Sequence, residues 1–361
     1  MNKETTAMPM SDPIQEAPRQ RRSPRVWLSD FQENQAHLFL LAAMLILSLA
    51  VIDFGTWLVL TISGIAMGGM LFLMASGMTL TFGLMSVLNL AHGAFISLGA
   101  FAGGTVLAFW LDGFAGAPGL MSNLVAIIPA LLFAAFVAGI VGLVFEKLVI
   151  KPVYGDHLKQ ILVTVGGSII LMQLIEVIWG PNEIPVTRPE SLSGALMLPE
   201  SLPVIGGIVL EKFRLLAVVL GLAIYAAMLW VIDRTRIGIL IRAGVESREM
   251  VEIQGYRIHL LFLGVFIAGS ALAGLGGVMW GMYKEILTPH MGDEMMISVI
   301  VVIILGGLGS IRGCFYGALL VGLINLYIGF VEPRLAAVAT VGLMVGVLMW
   351  RPQGLIPVIK V

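Results

Sequence analysis

LVAIIPALLFAAFVAGIVGLVFE, residues 124–146, runs for twenty-two uncharged residues before its single carboxylate, Glu146. About 20 mostly apolar residues suffice to cross the hydrocarbon core of a bilayer as a helix. Lipid offers no partner to an open amide or carbonyl, so such a run must close its hydrogen bonds within itself. Similar runs recur at 37–52, 58–83, 90–110, 160–179, 214–232, 259–282, 295–311, 313–330 and 335–350, and none shows the strict alternation of a barrel strand. Hydrophobic residues make up 58% of the 361 and charged ones 12%. Mean hydropathy is +0.99, outside the range of a water-soluble domain. The expected fold is an all-α polytopic membrane protein of about ten transmembrane helices.

Net charge is −1, so there is no basic field of the kind that attracts nucleic acid. Position matters more than sum. Residues 1–36 are polar and basic, with Arg19, Arg21, Arg22 and Arg25, lack the apolar centre of a signal peptide, and read as a disordered cytoplasmic tail. Alternation from there places 147–159, 233–258, Arg312 and a C-terminal tail, 351–361, on the same side. These stretches hold 16 of the 21 Lys and Arg residues, which makes that side cytoplasmic and both termini with it. The membrane-spanning domain is then 37–350. The single Cys314 excludes an intramolecular disulfide and reads as a packing residue.

Two connections exceed a simple turn. The outward loop 180–213 carries Glu183, Glu190, Glu200 and Glu211, and five prolines forbid a continuous helix. The inward loop 233–258 contains IRAGVESREMVEIQG at 241–255, which reads as one short amphipathic helix. Glu246, Arg248, Glu249 and Glu252 are expected to be exposed, Val245, Met250 and Ile253 packed, and Gly255 to end the helix. With Arg242, these charged residues are candidates for coupling to a cytoplasmic partner; an ordinary surface helix is the other reading.

Asp53, Glu146, Glu176 and Asp293 fall at or near predicted span ends, leaving span centres almost free of charge. That pattern argues against a proton relay through the spans. No Gly-Lys pair occurs, hence no phosphate-binding loop, so no cofactor is expected and any ATP must be used by another subunit. GLMSVLNLAHGAF at 83–95 places Ser86, Asn89, His92 and Gly93 in a polar break between two spans. Such a break lines a cavity or is buried in protein. A discontinuous helix along a solute pathway and simple helix capping both stand open. LGGLGSIRG at 305–313 puts Gly306, Gly307 and Ser310 in a bend that disfavours regular helix, and these join the pathway candidates. Gly269, Ala273, Gly277 and Gly281 form a small-residue ridge that lets a neighbouring helix approach. No His or carboxylate stands at ligand spacing from His92, so no metal is expected. No Ser-His, paired-Asp or His-Glu-x-x-His arrangement at membrane depth points to an intramembrane enzyme.

Several of these stretches together resemble the permease subunits of the branched-chain amino acid class of ABC importers, across nearly all of 58–357. NLAHGAF at 89–95 looks like that family's Asn-Phe-Ala-His-Gly signature and WGPNEIP at 179–185 like its outward Phe/Trp-Gly-Pro stretch. RTRIGILIRAGVESREMVEIQGYRIH at 234–259 is similar to its coupling loop, GGLGSIRG at 306–313 to its Gly-Gly-Leu-Gly-Ser-Ile motif, and RPQGLIP at 351–357 to its C-terminal end. The resemblance implies a second homologous permease subunit, two cytoplasmic ATP-binding subunits and a soluble solute-binding protein. It makes 241–255 the coupling helix, with Gly255 at its turn. Leu90 replaces the common Phe and Ala94 a common acidic residue, and Ala94 leaves the solute open among branched-chain amino acids, urea, amides and carboxylic acids. A stand-alone secondary transporter or channel is the alternative; it would use 83–95 without needing 241–255.

Overall fold

The uncharged runs become helices in the computed structural model, which describes residues 24–85, 89–114, 120–189, 192–197 and 208–356. Residues 1–36 form a unit of their own, and His37–Val361 form the unit that carries the spans. In chain order the helices are α1 (Pro24–Val51, with a kink at Gln35), α2 (Phe54–Met85), α3 (His92–Phe114), α4 (Leu120–Phe145), α5 (His157–Trp179), α6 (Lys212–Arg234), α7 (Arg236–Glu246), α8 (Arg248–Ile253), α9 (Ile258–Lys284), α10 (Met291–Gly306), α11 (Ile311–Val331) and α12 (Ala336–Trp350). Four short strands pair antiparallel: β1 (Ile184–Pro185) with β4 (Ile286–Leu287), and β2 (Ala195–Met197) with β3 (Val209–Glu211).

The all-α polytopic class stands, with a different count of full-length spans. Among the described residues eight helices are long and apolar enough to cross a membrane: α2 to α6, α9, α11 and α12, some with adjoining turns. The expected spans 37–52 and 295–311 are shorter. The apolar part of α1 is Gln35–Val51, and α10 has 16 residues, about 24 Å of helix against a hydrocarbon core of about 30 Å. Helix starts at Pro24, so 24–36 are helical where a tail was expected, while 1–23 lie outside the described residues.

Helix α2 sits at the centre, its residues from Ala66 to Thr79 all buried. Glycines let its neighbours come to backbone contact. A Cβ at Gly77 would drive into the Gly269 carbonyl of α9, and a Cβ at Gly277 into the Ile96 carbonyl of α3. The ridge along α9 is therefore where α2 and α3 both lean, which is its packing reading. Phe72 stacks edge-on against Phe315 of α11 and Tyr225 of α6, with ring centroids 5.3 and 5.6 Å apart, closing the other side of α2.

The loops 147–159 and 233–258 and Arg312 share one end of the helices, the basic face. There Asp233 at the end of α6 takes Arg312 at 2.8 Å and Arg242 at 3.4 Å. On the opposite face Arg188 is only 9% exposed and is the hub of the outward loop. It pairs with Glu211 and Glu285, donates to the carbonyls of Met282 and Tyr283 at 2.5 and 2.7 Å, and covers the Phe213 ring. Those carbonyls end α9, where a cation is favoured by the helix dipole.

Candidate functional site

Helix α3 starts beside the interior of α2 rather than level with its end. The His92 ring Nε2 lies 2.7 Å from the Met74 carbonyl, and since a carbonyl accepts, Nε2 carries the proton. On α2, Met74 stands eleven residues from Ser63, which bonds Arg214 on one face, and nine from Gly83, which packs on Gly309 at the other. At 1.5 Å per residue His92 is thus about 16 Å and 14 Å from those two levels. The chain must turn back into the protein between Met85 and His92 to reach this point. The Asn89 side chain accepts from the Ala91 amide at 3.1 Å and its carbonyl from the His92 amide at 3.1 Å, so both residues are buried and internally paired. They cap the start of α3 and also hold it at depth. Ser86 lies outside the described residues.

A second helix starts at the same depth. Gly93 and Gly292 meet backbone to backbone, and a Cβ on Gly292 would enter the Gly93 carbonyl. The Gly292 amide donates to Ser97 Oγ at 2.9 Å. The chain reaches this point through a turn after β4, closed by the Met291 amide on the Thr288 carbonyl at 3.2 Å, and Leu287 of β4 packs against Gly104 nearer the opposite face. This arrangement sets the level of Asp293. The residue keeps the helix-end place expected of it, in the first turn of α10, but that end lies beside Gly93 and level with the middle of α2 rather than with its end.

Asp293 and Glu294 occupy the first turn of α10, where the helix dipole favours anions, and both side chains are exposed, Asp293 to 48%. A polar network runs from there to α5: His290 lies 4.0 Å from Asp293 and 3.4 Å from Glu176, and Gln173 donates to Glu176 at 3.0 Å. An exposed carboxylate facing lipid costs about 2.5–3.5 kcal/mol on insertion scales. Among the described residues this strip gathers polar side chains on the surface of α5 and α10, from the last turn of α5 at Glu176 to the first turn of α10 at Asp293. Sequence reasoning missed it; the signal was the pairing of Glu176 with the His-x-x-Asp-Glu spacing of 290–294.

Gly306, Gly307 and Ser310 are elsewhere, some 14 residues or about 21 Å down α10 from Gly292. They form a closed turn. Gly306 packs on Gly313, Gly307 takes φ +104°, a value that disfavours any side chain, and Ser310 accepts from the Gly313 amide at 3.1 Å to cap α11. The C-terminal stretch seals it through Leu355 to Leu305 and Ile356 to Gly306, at 2.9 and 3.0 Å.

The expected single helix at 241–255 is two. Ser247 is extended, and its side chain caps α8 by accepting from Met250, so the phase of the second helix is reset. The expected packing of Met250 and Ile253 is overturned for that reason: they are 58% and 80% exposed, and Val251, at 3%, is the buried one. Gly255 ends the segment at φ +85°, as read. Arg242 is paired to Asp233, and Glu252 is exposed. Glu246, Arg248 and Glu249 lie on these helices; their side chains are outside the described residues.

The model of a family described as branched-chain amino acid transport system, permease component, matches residues 60–349. The chain belongs to that family. The permease is 27% identical over 302 residues to the high-affinity branched-chain amino acid transport system permease protein BraD of Pseudomonas aeruginosa, covering 82% of this chain and 94% of the relative. It is 23% identical over 296 residues to LivH of Salmonella typhimurium, covering 81% and 93%. A probable LivH of Methanocaldococcus jannaschii is 28% identical over 277 residues, covering 75% and 80%. No solved structure matches. The permease is a multi-pass membrane transport subunit rather than an enzyme.

Proposed function

We propose that this permease works in an ATP-binding cassette importer of a bacterial inner membrane, carrying branched-chain amino acids or a related small polar solute. The solute path runs along the face of α5 and α10 bearing Gln173, Glu176, His290, Asp293 and Glu294, and a second homologous permease subunit completes it. The observation that carries this reading is the exposure of Asp293 and Glu294 at the depth of His92. Carboxylates there need water or a polar partner, and a water-filled path shared by two permeases supplies both. Asn89, His92 and Gly93 serve the path by fixing the start of α3 against α10. Gly306, Gly307 and Ser310, proposed on sequence as lining, fit a structural turn better.

On the basic face, taken as cytoplasmic from its Lys and Arg content, α8 offers Met250 and Ile253 to an ATP-binding subunit. Apolar side chains so exposed on a charged loop mark a contact surface. Arg242, Glu246, Arg248, Glu249 and Glu252 surround it, and Gly255 turns the chain into α9, so a push on α8 reaches the helix that α2 and α3 lean on. Two ATP-binding subunits and a soluble solute-binding protein, received by the outward loop around Arg188, complete the assembly. ATP is used by the partners, and this chain holds no cofactor of its own.

The same polar network favours a second reading, a stand-alone secondary transporter, since carboxylates and a histidine at depth are what proton-coupled carriers use. Affinity purification of the tagged chain from its native membranes separates the two. The importer reading expects a second polytopic protein and an ATPase in near-equal amounts, and no uptake by the chain reconstituted alone. The chain recovered alone and active in uptake contradicts it.

A further inference from the structure

Helices α6 and α9 are both long and apolar enough to cross a membrane, and with α7 they line one cavity. Between them lies a groove of about 970 Å³, at the upper end of small-molecule sites. Its walls are apolar almost throughout, with Ile224 and Val231 from α6, Leu240 from α7, and Gly264, Ala268 and Leu275 from α9. Gly264 has nothing within 4 Å of where a Cβ would stand, so the space is open and not a seam between packed side chains. The one charged group on the lining is Arg257, at the basic-face end. Arg257 is exposed, and among the described residues no carboxylate pairs with it. Arg234 and Arg236, at the junction of α6 and α7, add positive charge at the same level.

We infer that this groove binds an anionic phospholipid, with an acyl chain between α6 and α9 and its phosphate on Arg257. An apolar channel open to the bilayer and capped by an exposed guanidinium complements that molecule at both ends. Basic pockets between spans on the cytoplasmic side are where anionic headgroups collect. From Ile258 to Leu275 the groove follows α9 for about 26 Å, more than the half-thickness an acyl chain needs. Val251 of α8 and Gly255 also line it, so the bound lipid braces the segment that carries Met250 and Ile253. The inference stands on the groove and the membrane setting, whichever solute is carried.

The test is native mass spectrometry of the purified full chain, titrated with phosphatidylglycerol or phosphatidylcholine. Phosphatidylglycerol should be retained in preference. Arg257→Ala should weaken its retention about fivefold, the factor that about 1 kcal/mol per basic residue implies, with phosphatidylcholine unaffected. Gly264→Leu should displace lipid of either class, because it fills open space without meeting protein. Equal retention of both lipids, or retention unchanged in both variants, overturns the inference. A disulfide linking two chains through Gly264→Cys overturns it as well, since a second copy would then occupy the groove.

Discussion

Two glycine-rich breaks interrupt the helices of this permease, and they differ in what they leave unspent. At 306–313 the turn is closed on itself, with Arg312 alone reaching out to Asp233 on the basic face: Ser310 caps α11, Leu355 and Ile356 bond the last carbonyls of α10, and Gly307 takes a conformation that closes the turn. At 89–93 and 291–294 the backbones are equally tight, yet Asp293, Glu294 and His290 stay exposed inside the membrane. A break whose polar groups are satisfied within the fold is architecture. One that holds charge at an outer surface, at a depth where lipid cannot solvate it, is where the fold meets water or a partner.

The largest expected effect tests the tightness common to both. Gly292→Val would force apart the backbones of α3 and α10, costing at least about 3 kcal/mol by overpacking. Loss of folded protein in detergent size-exclusion measures it; normal yield breaks the claim that the two helix starts touch. Next comes the difference between the breaks. Asp293→Asn should lower ATP-driven uptake about tenfold, or about 1.4 kcal/mol in barrier, with thermal stability kept. Unchanged uptake would reduce the 290–294 network to the standing of the closed turn. Ser310→Ala should do the reverse, costing about 1 kcal/mol of stability through a lost cap while uptake per folded molecule holds. Uptake falling as far as in Asp293→Asn would return 306–313 to the pathway.

The basic face adds a smaller contrast. Ile253→Asp, and Glu249→Lys with Glu252→Lys, should abolish ATP-dependent uptake while the protein inserts normally. Because Ile253 and Glu252 are exposed, the expected loss of stability is under about 0.5 kcal/mol. Uptake at the normal rate in both variants removes α8 as the coupling element.

The helical class and the run of spans were legible because lipid enforces one rule on every long apolar stretch. Depth was not legible. The level at which the α10 end carrying Asp293 meets α2 and α3 is decided by His92 reaching Met74 and by Gly93 meeting Gly292, contacts between residues far apart in the chain. The helical phase of 241–255 failed at one residue: Ser247 ahead of REMVEI is a capping signal, and reading through it exchanged the buried and exposed faces of α8. Nothing in the sequence around Arg188 marks it as a hub, because the Glu211 carboxylate and the end of α9 that converge on it come from residues some 23 to 97 positions away. Removing it leaves the Met282 and Tyr283 carbonyls and the part-exposed Glu211 without their donor and should cost about 1–3 kcal/mol, readable as a drop in melting temperature of Arg188→Ala.

The central claim is that the surface of α5 and α10 around Asp293 faces water. Cys314 is the only cysteine and is fully buried, so single cysteines can be placed with little background. Glu294→Cys and Gln173→Cys, with Phe136→Cys on the exposed apolar side of α4 as control, would be exposed in intact native membranes to a charged, membrane-impermeant thiol reagent. Rapid labelling at 294 and 173, slowed by transported solute, with none at 136, is the result the account predicts. Labelling at none of the three while a lipid-soluble maleimide modifies them all would put that face against lipid and contradict it.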